Sequence, residues 1–311
     1  MSAKSRRSST GPSPVAGTAA FETIGDWLRY AVTTFSRAPL AFAQGLHGPQ
    51  EEATFLVSRF LGIAQVDLLH FLSARLTKAE ITGLRELVRK RVVERIPVPY
   101  LVHEAVLGDL AFHVDERVLI PRSYIVELIP DQINVFAGDG WAPGRILELG
   151  TGSACLAILA ALAYPGAVVD AVDISEDALE VAATNVHAHN LDNRIQLLRS
   201  DLFNAVPRIP YDLIIANPPY EPSALVDEQP RELAHEPRLA LDGGEDGMEC
   251  VRRIIQEAQG YLSPAGILVL ELGGLRTRLV SEFPKLKCHV FNLHDASDAV
   301  LGIHARDLDG I

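Results

Sequence analysis

The stretch Arg145-Ile146-Leu147-Glu148-Leu149-Gly150-Thr151-Gly152-Ser153-Ala154 runs from a short apolar strand into a glycine turn, and the apolar run Cys155 to Ala163 follows directly as a helix. Glycines in such a turn let the backbone reverse sharply and approach a ligand, while the helix behind it presents free amide protons. Further apolar strands follow at Ala167 to Val172, Ile195 to Leu198, Tyr211 to Ala216 and Gly266 to Leu270. The gaps are long enough for crossovers, although Leu198 to Tyr211 leaves room for little helix. Repeated β-α units predict an α/β fold: a mostly parallel, Rossmann-like sheet with helices on both faces.

Upstream, the texture is different. From Phe21 to Arg95 apolar residues recur at helical spacing, as in Trp27, Tyr30 and Ala31, or Ile81, Leu84, Leu87 and Val88. Thr77 and Glu80 have the form of a capping box, which starts a helix expected to reach Arg95. The charges of that helix, Arg85, Arg89, Lys90, Arg91 and Arg95, read as a solvated face. Ile96 to Pro99 ends it, because proline lacks the amide proton and disfavours helix before it. Between Tyr100 and Pro121 short β-prone pieces flank Gly108-Asp109, which predicts a hairpin. Residues 1–20 carry Lys4, Arg6, Arg7, serines and prolines but no acid, and read as a disordered, untargeted tail. The expected division is therefore a tail at 1–20, a small all-helical domain at 21–99, a hairpin linker at 100–121 and the α/β domain at 122–311.

Length and composition agree with this division. A chain of 311 residues, 48% apolar and 22% charged, is ordinary for two folded domains and excludes a disordered or fibrous protein. The longest apolar run, Ala154 to Tyr164, is eleven residues, against about 20 needed to cross a bilayer, so no membrane association is expected. Cys155, Cys250 and Cys288 stand far apart without a C-x-x-C pair, which fits a reducing, cytoplasmic compartment and no cysteine metal site. Net charge is −12, and it is unevenly placed: residues 1–130 carry 15 Lys and Arg against 13 Asp and Glu, the remainder 13 against 27. An acidic second half repels phosphate backbones and suits a basic partner, so direct nucleic-acid binding is not expected.

Three further positions carry chemistry. Asp173 closes the second strand, where an acid can accept hydrogen bonds from both hydroxyls of a ribose; a helix cap, which Ser175 could equally supply, is the plainer use. Asp201, with Leu202 and Phe203, ends the third strand, where an acid could receive the amino group of an adenine and an apolar side chain its face; alone it is an ordinary turn carboxylate. These residues predict a nucleoside-containing cofactor without choosing between a dinucleotide and S-adenosylmethionine. Asn217-Pro218-Pro219-Tyr220 then follows the fourth strand. Two successive prolines remove two amide protons and leave the carbonyls of Asn217 and Pro218 as acceptors beside the Asn217 side chain. A planar amide or aromatic amine could donate both of its protons there, with Tyr220 against its flat face.

With the Glu148 to Ala154 turn, Asn217 to Tyr220 resembles the class I S-adenosylmethionine methyltransferases that modify planar nitrogens. Leu119-Ile120-Pro121-Arg122-Ser123, Arg95-Ile96-Pro97, Asp115 to Leu119, His235-Glu236-Pro237, Leu239 to Leu241 and Asp246-Gly247 are similar to motifs of the glutamine methyltransferase family. The resemblance covers nearly everything from Thr23 onward. It implies S-adenosylmethionine as cofactor, held by Glu148, Gly150, Thr151, Gly152, Asp173, Ile174, Asp201, Leu202 and Asn217. It implies catalysis and substrate binding at Asn217, Pro218, Pro219 and Tyr220, with Arg122 and Glu236 also on the substrate side and the helical domain recognising the protein substrate. The release-factor branch of that family usually reads I-P-R-P followed by T-E. Ser123 after Arg122, the long helical start and the ending in Glu282-Phe283-Pro284 and Asp295 to Leu301 resemble instead the branch that modifies the third protein of the large ribosomal subunit. One residue departs from the family pattern: Ala154 stands where a third glycine is usual, at a place where close helix packing is expected to set the limit.

The implied chemistry is transfer of a methyl group to a glutamine amide nitrogen in that ribosomal protein. Glutamine methylation of release factors is the alternative within the family, and methylation of an exocyclic base amine in nucleic acid the alternative outside it. No metal is expected, since His187 and His189 stand two apart on a helix and point to different sides. Cys155 is expected as a small buried hydrophobe, not a nucleophile.

Overall fold

Helix α1 (Ile24–Arg37) starts where the side chain of Thr23 accepts the amide proton of Asp26 and the Asp26 carboxylate accepts that of Thr23. The computed structural model describes residues 21–294 and 299–311; the expected disordered tail falls on residues 1–20, outside that range. Helix α2 (Pro49–Leu61) carries proline in its first turn, where no amide proton is needed, and stops at Gly62 in a left-handed conformation. Helix α3 (Lys78–Arg89) begins at the expected Thr77–Glu80 box, with both reciprocal bonds formed. The inner faces of these helices close on Trp27, Ala31, Phe35, Leu56, Leu84 and Val88, which lock them into one core.

The basic face of α3 is not wholly solvated, and here the structure corrects the sequence reading. After Arg89 the helix passes into a π turn, Lys90–Glu94. Its wider turn changes the direction in which side chains leave the helix. Arg91 is 0% exposed and gives two hydrogen bonds, of 2.7 and 3.0 Å, to the carboxylate of Glu52 and one of 2.8 Å to the carbonyl of Ala41. Val98–Val102 then forms a short helix, α4, with Pro99 in its first turn, so Tyr100 to Val102 are helical and not part of the hairpin. The first of two compact units ends at Val102.

In the second unit, β1 (Glu104–Leu107) pairs antiparallel with β2 (Leu110–His113) about Gly108, whose φ of 60° the turn requires. Helix α5 (Asp131–Ala137) precedes the main sheet. Then follow β3 (Arg145–Leu149), α6 (Cys155–Ala163), β4 (Val168–Asp173), α7 (Glu176–Ala188), β5 (Ile195–Arg199) and β6 (Tyr211–Ala216). The remaining elements are α8 (Ser223–Glu228), α9 (Glu249–Glu257), β7 (Leu262–Glu271), α10 (Arg276–Glu282), β8 (His289–Val290) and β9 (Val300–His304). The sheet order is β5-β4-β3-β6-β7-β9-β8; the first five strands in that order are parallel, and β9 runs antiparallel to both its neighbours.

Alternation along the strands sorts the core into two layers. Ile146, Leu213, Ile215, Ile267 and Val269 face one layer of helices, and Leu147, Leu149, Ile214, Leu268 and Leu270 the other. The parallel strands lie where the sequence placed them. The antiparallel edge was not anticipated, because β8 has two residues and β9 is interrupted by Gly302. That glycine is required by packing: a Cβ there would lie 2.8 Å from the ring of Phe136 and 2.9 Å from that of Phe291. The chain runs outward through β3, β4 and β5 and then returns to β6 beside β3. Their carboxyl ends thus form a topological switch point, where open α/β sheets bind ligands.

Candidate functional site

Both motifs singled out in the sequence meet at this switch point. Gly150, Gly152 and Ala154 all hold left-handed conformations, with φ of 72°, 54° and 62°, and fold the turn after β3 back onto the strand ends. The amides of Gly150 and Thr151 both donate to the Val172 carbonyl at 2.9 Å, which fixes the turn to β4. A Cβ at Gly150 would lie 4.0 Å from the carbonyl oxygen of Asn217, so the cofactor turn and the Asn-Pro-Pro-Tyr loop are neighbours.

Glu148 sits beneath the turn, not in it. It is buried, and one carboxylate oxygen accepts from the Thr151 hydroxyl and, at 3.0 Å, from the Ala157 amide. Burial pushes its carboxyl up to about 8. Asp173 accepts the Gly152 amide at 2.8 Å and the Ser175 amide at 2.9 Å, and burial raises its pKa too. Ser175 is the residue that caps α7, which leaves Asp173 tied to the turn. Beside it Ile174 is 45% exposed, an apolar surface at the mouth of the site. Asp201 and Leu202 follow β5, one strand over from Asp173, whose carbonyl accepts the Ser200 amide at 2.9 Å. The Asp201 carboxylate is held by Arg253 of α9 at 2.7 Å and Asn204 at 3.2 Å.

This set fits a nucleoside cofactor. Backbone amides and small residues line the approach, an acid fixed by two amides closes the strand where such an acid can accept from ribose hydroxyls, and an exposed aliphatic side chain adjoins it. Asn217 and Pro218 meanwhile keep free acceptors: among the described residues, nothing donates to the Asn217 side chain or to the Pro218 carbonyl.

Three glycines that the sequence reading gave no role hold the Asn-Pro-Pro-Tyr loop. A Cβ at Gly243 would lie 2.8 Å from both the Pro219 carbonyl oxygen and the Tyr220 Cα; one at Gly247 would lie 2.4 Å from the Tyr220 carbonyl oxygen. At Gly273 it would meet the Tyr220 ring at 2.8 Å. The segment after the loop is therefore a backbone clamp. Arg122 and Glu236, both expected on the substrate side, face each other: two hydrogen bonds of 2.6 Å join guanidinium and carboxylate, and the Glu236 side chain is 0% exposed. Glu271, at the end of β7, was missed; its signal was the same as that of Asp173, an acid closing a parallel strand. Asn185 was missed with no signal. It joins the hairpin to the cofactor turn by bonding the amide and carbonyl of His113 and the carbonyl of Ser153.

Residues 133–235 match the methyltransferase small domain, and residues 26–102 match the PrmC N-terminal domain. The ribosomal protein uL3 glutamine methyltransferase of Burkholderia pseudomallei is 43% identical over 309 residues, 97% of this chain and 99% of that protein. The protein of the same name from Bordetella pertussis is 45% identical over 93% of this chain and 97% of its own. The chain belongs to the ribosomal protein uL3 glutamine methyltransferase family. Among solved structures, the hMettl16 catalytic domain in complex with MAT2A 3′UTR hairpin 1 shares the fold, with a TM-score of 0.50 at 19% identity over 81% of this chain and 90% of that one. This family member is a methyltransferase with a class I fold. Burial pushes the Cys155 thiol up to about 12, which makes it inert at neutral pH. His187 faces Asp192, while His189 faces the Ala111 carbonyl.

Proposed function

We propose that this enzyme transfers a methyl group from S-adenosylmethionine to the side-chain amide nitrogen of a glutamine in ribosomal protein uL3. The observation that carries the reading is the pair of free acceptors at Asn217 and Pro218 beside the cofactor turn, in a chain whose relatives bear that name. Asp173 and the backbone of Gly150 to Gly152 hold the cofactor, and Ile174 and Leu202 flank its flat group. The bound cofactor supplies a methyl group on a sulfonium, ready for displacement.

An amide nitrogen is a poor nucleophile, because its lone pair is delocalised into the carbonyl. The Asn217 side-chain oxygen and the Pro218 carbonyl would accept its two protons and hold it facing the cofactor turn, with Tyr220 packed on its face. The same two oxygens would stabilise the positive charge that grows on nitrogen as the C–N bond forms and the C–S bond breaks, the sulfur leaving as a neutral thioether and one of the two amide protons passing to water. Arg122 and Glu236 neutralise each other, so their part is to brace the loop that walls the peptide channel. The helical unit ending at Val102 recognises the protein substrate, and the enzyme works in the cytoplasm, where ribosomal proteins are made.

The test is mass spectrometry of uL3, a release factor and RNA, each incubated with enzyme and S-adenosylmethionine. One added methyl on a glutamine of uL3 alone supports the reading; methylated release factor or RNA overturns the substrate. Asn217→Ala should lower turnover at least about tenfold, roughly 1.4 kcal/mol of transition-state stabilisation, while cofactor affinity stays within about twofold. Unchanged turnover would remove Asn217 from the mechanism.

A further inference from the structure

Tyr220 is fixed at both ends, and one end leads to a buried acid that the mechanism above does not use. Its backbone is pressed between Gly243 and Gly247, and its ring lies over Gly273. Its hydroxyl stands 3.4 Å from Oε1 of Glu271. Glu271 is 1% exposed. Its other oxygen, Oε2, accepts from the Ser123 hydroxyl at 2.6 Å and from the Tyr124 amide at 3.0 Å. The Ser123 oxygen accepts the Ile125 amide at 3.2 Å, so its single proton is directed at Glu271. Every group bonded to this carboxyl is thus a donor, and these bonds oppose, without cancelling, the burial that raises its pKa.

We propose that Glu271 is a positioning residue for methyl transfer: anchored by Ser123 and Tyr124, its buried carboxylate holds the hydroxyl of Tyr220 and thereby sets the tilt of the ring that packs on the glutamine amide. The proposal rests on the reading that Tyr220 flanks that amide. A ring clamped only at its backbone could still swing about its side-chain torsions, and the amide plane would swing with it. Fixing the hydroxyl removes that freedom before substrate arrives, which acts on the aligned transition state more than on binding. The carboxylate is the suitable anchor because three donors converge on it from two separate segments of chain, one of them the Arg122-Ser123-Tyr124 stretch that precedes the whole α/β sheet.

The test is a double-mutant cycle on Glu271→Gln, which keeps the shape, and Tyr220→Phe, which keeps the ring. Glu271→Gln should lower kcat at least about tenfold with KM and cofactor Kd within about twofold, and Ser123→Ala should lower kcat in the same direction by less. In the Tyr220→Phe background, Glu271→Gln should cost less than about twofold more, because the hydroxyl it acts through is gone. Retained kcat in Glu271→Gln, or losses that multiply, would overturn the proposal. Should Glu271→Gln fail to fold, the Ser123→Ala and Tyr220→Phe cycle is read in the same way. A readout independent of substrate separates this idea from the functional reading: in protein labelled with 3-fluorotyrosine, the Tyr220 resonance is identified by its loss in Tyr220→Phe. It should move in Glu271→Gln or Ser123→Ala even if uL3 proves not to be methylated. An unmoved resonance overturns the network whatever the substrate.

Discussion

Ala154 shows how one residue can be read as unusual with only part of the reason: it is fully buried in the core, as close packing requires. Close helix packing is the limit its sequence position suggests, but the decisive property is a φ of 62°, a left-handed conformation that costs an alanine about 1–2 kcal/mol. Ala154→Gly should therefore stabilise the enzyme, by up to about 1 kcal/mol after the extra entropy of a glycine in the unfolded chain, and raise Tm by about 2–4 °C in a thermal melt. A lower Tm would mean that the buried methyl of Ala154 contributes more than its strain removes. Glu148 makes a second prediction at this scale. Its buried carboxyl, pushed up to about 8, stays protonated in the native protein while the unfolded chain ionises near its ordinary value of 4.5. The native state then binds the extra proton between those values. The contribution of Glu148 to stability falls as pH rises through this window, by at most about 1.4 kcal/mol per unit, and levels off above it. Glu148→Gln keeps the acceptor for Thr151 and Ala157 but cannot ionise, so its stability relative to the wild type should grow from pH 5 to pH 8 in chemical denaturation. A constant difference would show that Glu148 is ionised in the folded cofactor-free enzyme.

Elements place the Asn-Pro-Pro-Tyr loop through contacts that no side-chain pattern announces. Gly247 combines a φ of 79° with a Cβ position 2.4 Å from the Tyr220 carbonyl oxygen, so Gly247→Ala is strained twice. It should lower both Tm and turnover, the latter by at least about tenfold, because the backbone that must give way is the Asn-Pro-Pro-Tyr loop itself. Unaltered kinetics would show that the loop can shift without losing its alignment. The contrast between what the sequence discloses and what it hides follows from the physics. The five parallel strands are legible because burial on both faces demands continuous apolar runs, and the Gly150 and Asn217 motifs because their backbone chemistry needs particular residue types. Gly243, Gly247 and Gly273 are glycines because of residues far away in sequence, and a glycine does not say what it makes room for. Arg91 failed in the opposite sense. A basic residue near a helix end is usually solvated, and only the π turn and the distant Glu52 make this one part of the core. Ser123 could be used as a marker of one branch of the family, but its hydroxyl acquires a function only when β7 brings Glu271 beside it.

Charge belongs to the molecule as a whole, and it is divided between the two units. Residues 1–102 carry 13 Lys and Arg against 8 Asp and Glu, whereas residues 103–311 carry 15 against 32. The methyltransferase unit is thus strongly acidic, and Arg122, near the Asn-Pro-Pro-Tyr loop, is neutralised by Glu236. A field of this sign attracts a basic protein over distances longer than any contact, and salt screens it with a Debye length that shrinks from about 10 Å at 0.1 M to about 3 Å at 1 M. The kcat/KM for uL3 should therefore fall several-fold as ionic strength rises from about 0.05 to 0.3 M, through slower encounter. Turnover at saturating uL3 should change little, because the acceptors proposed to hold the amide, at Asn217 and Pro218, are neutral. Steady-state kinetics against salt separates the two. A kcat/KM indifferent to salt would mean that the acidity of residues 103–311 serves solubility alone and that recognition of uL3 is left to short-range contacts.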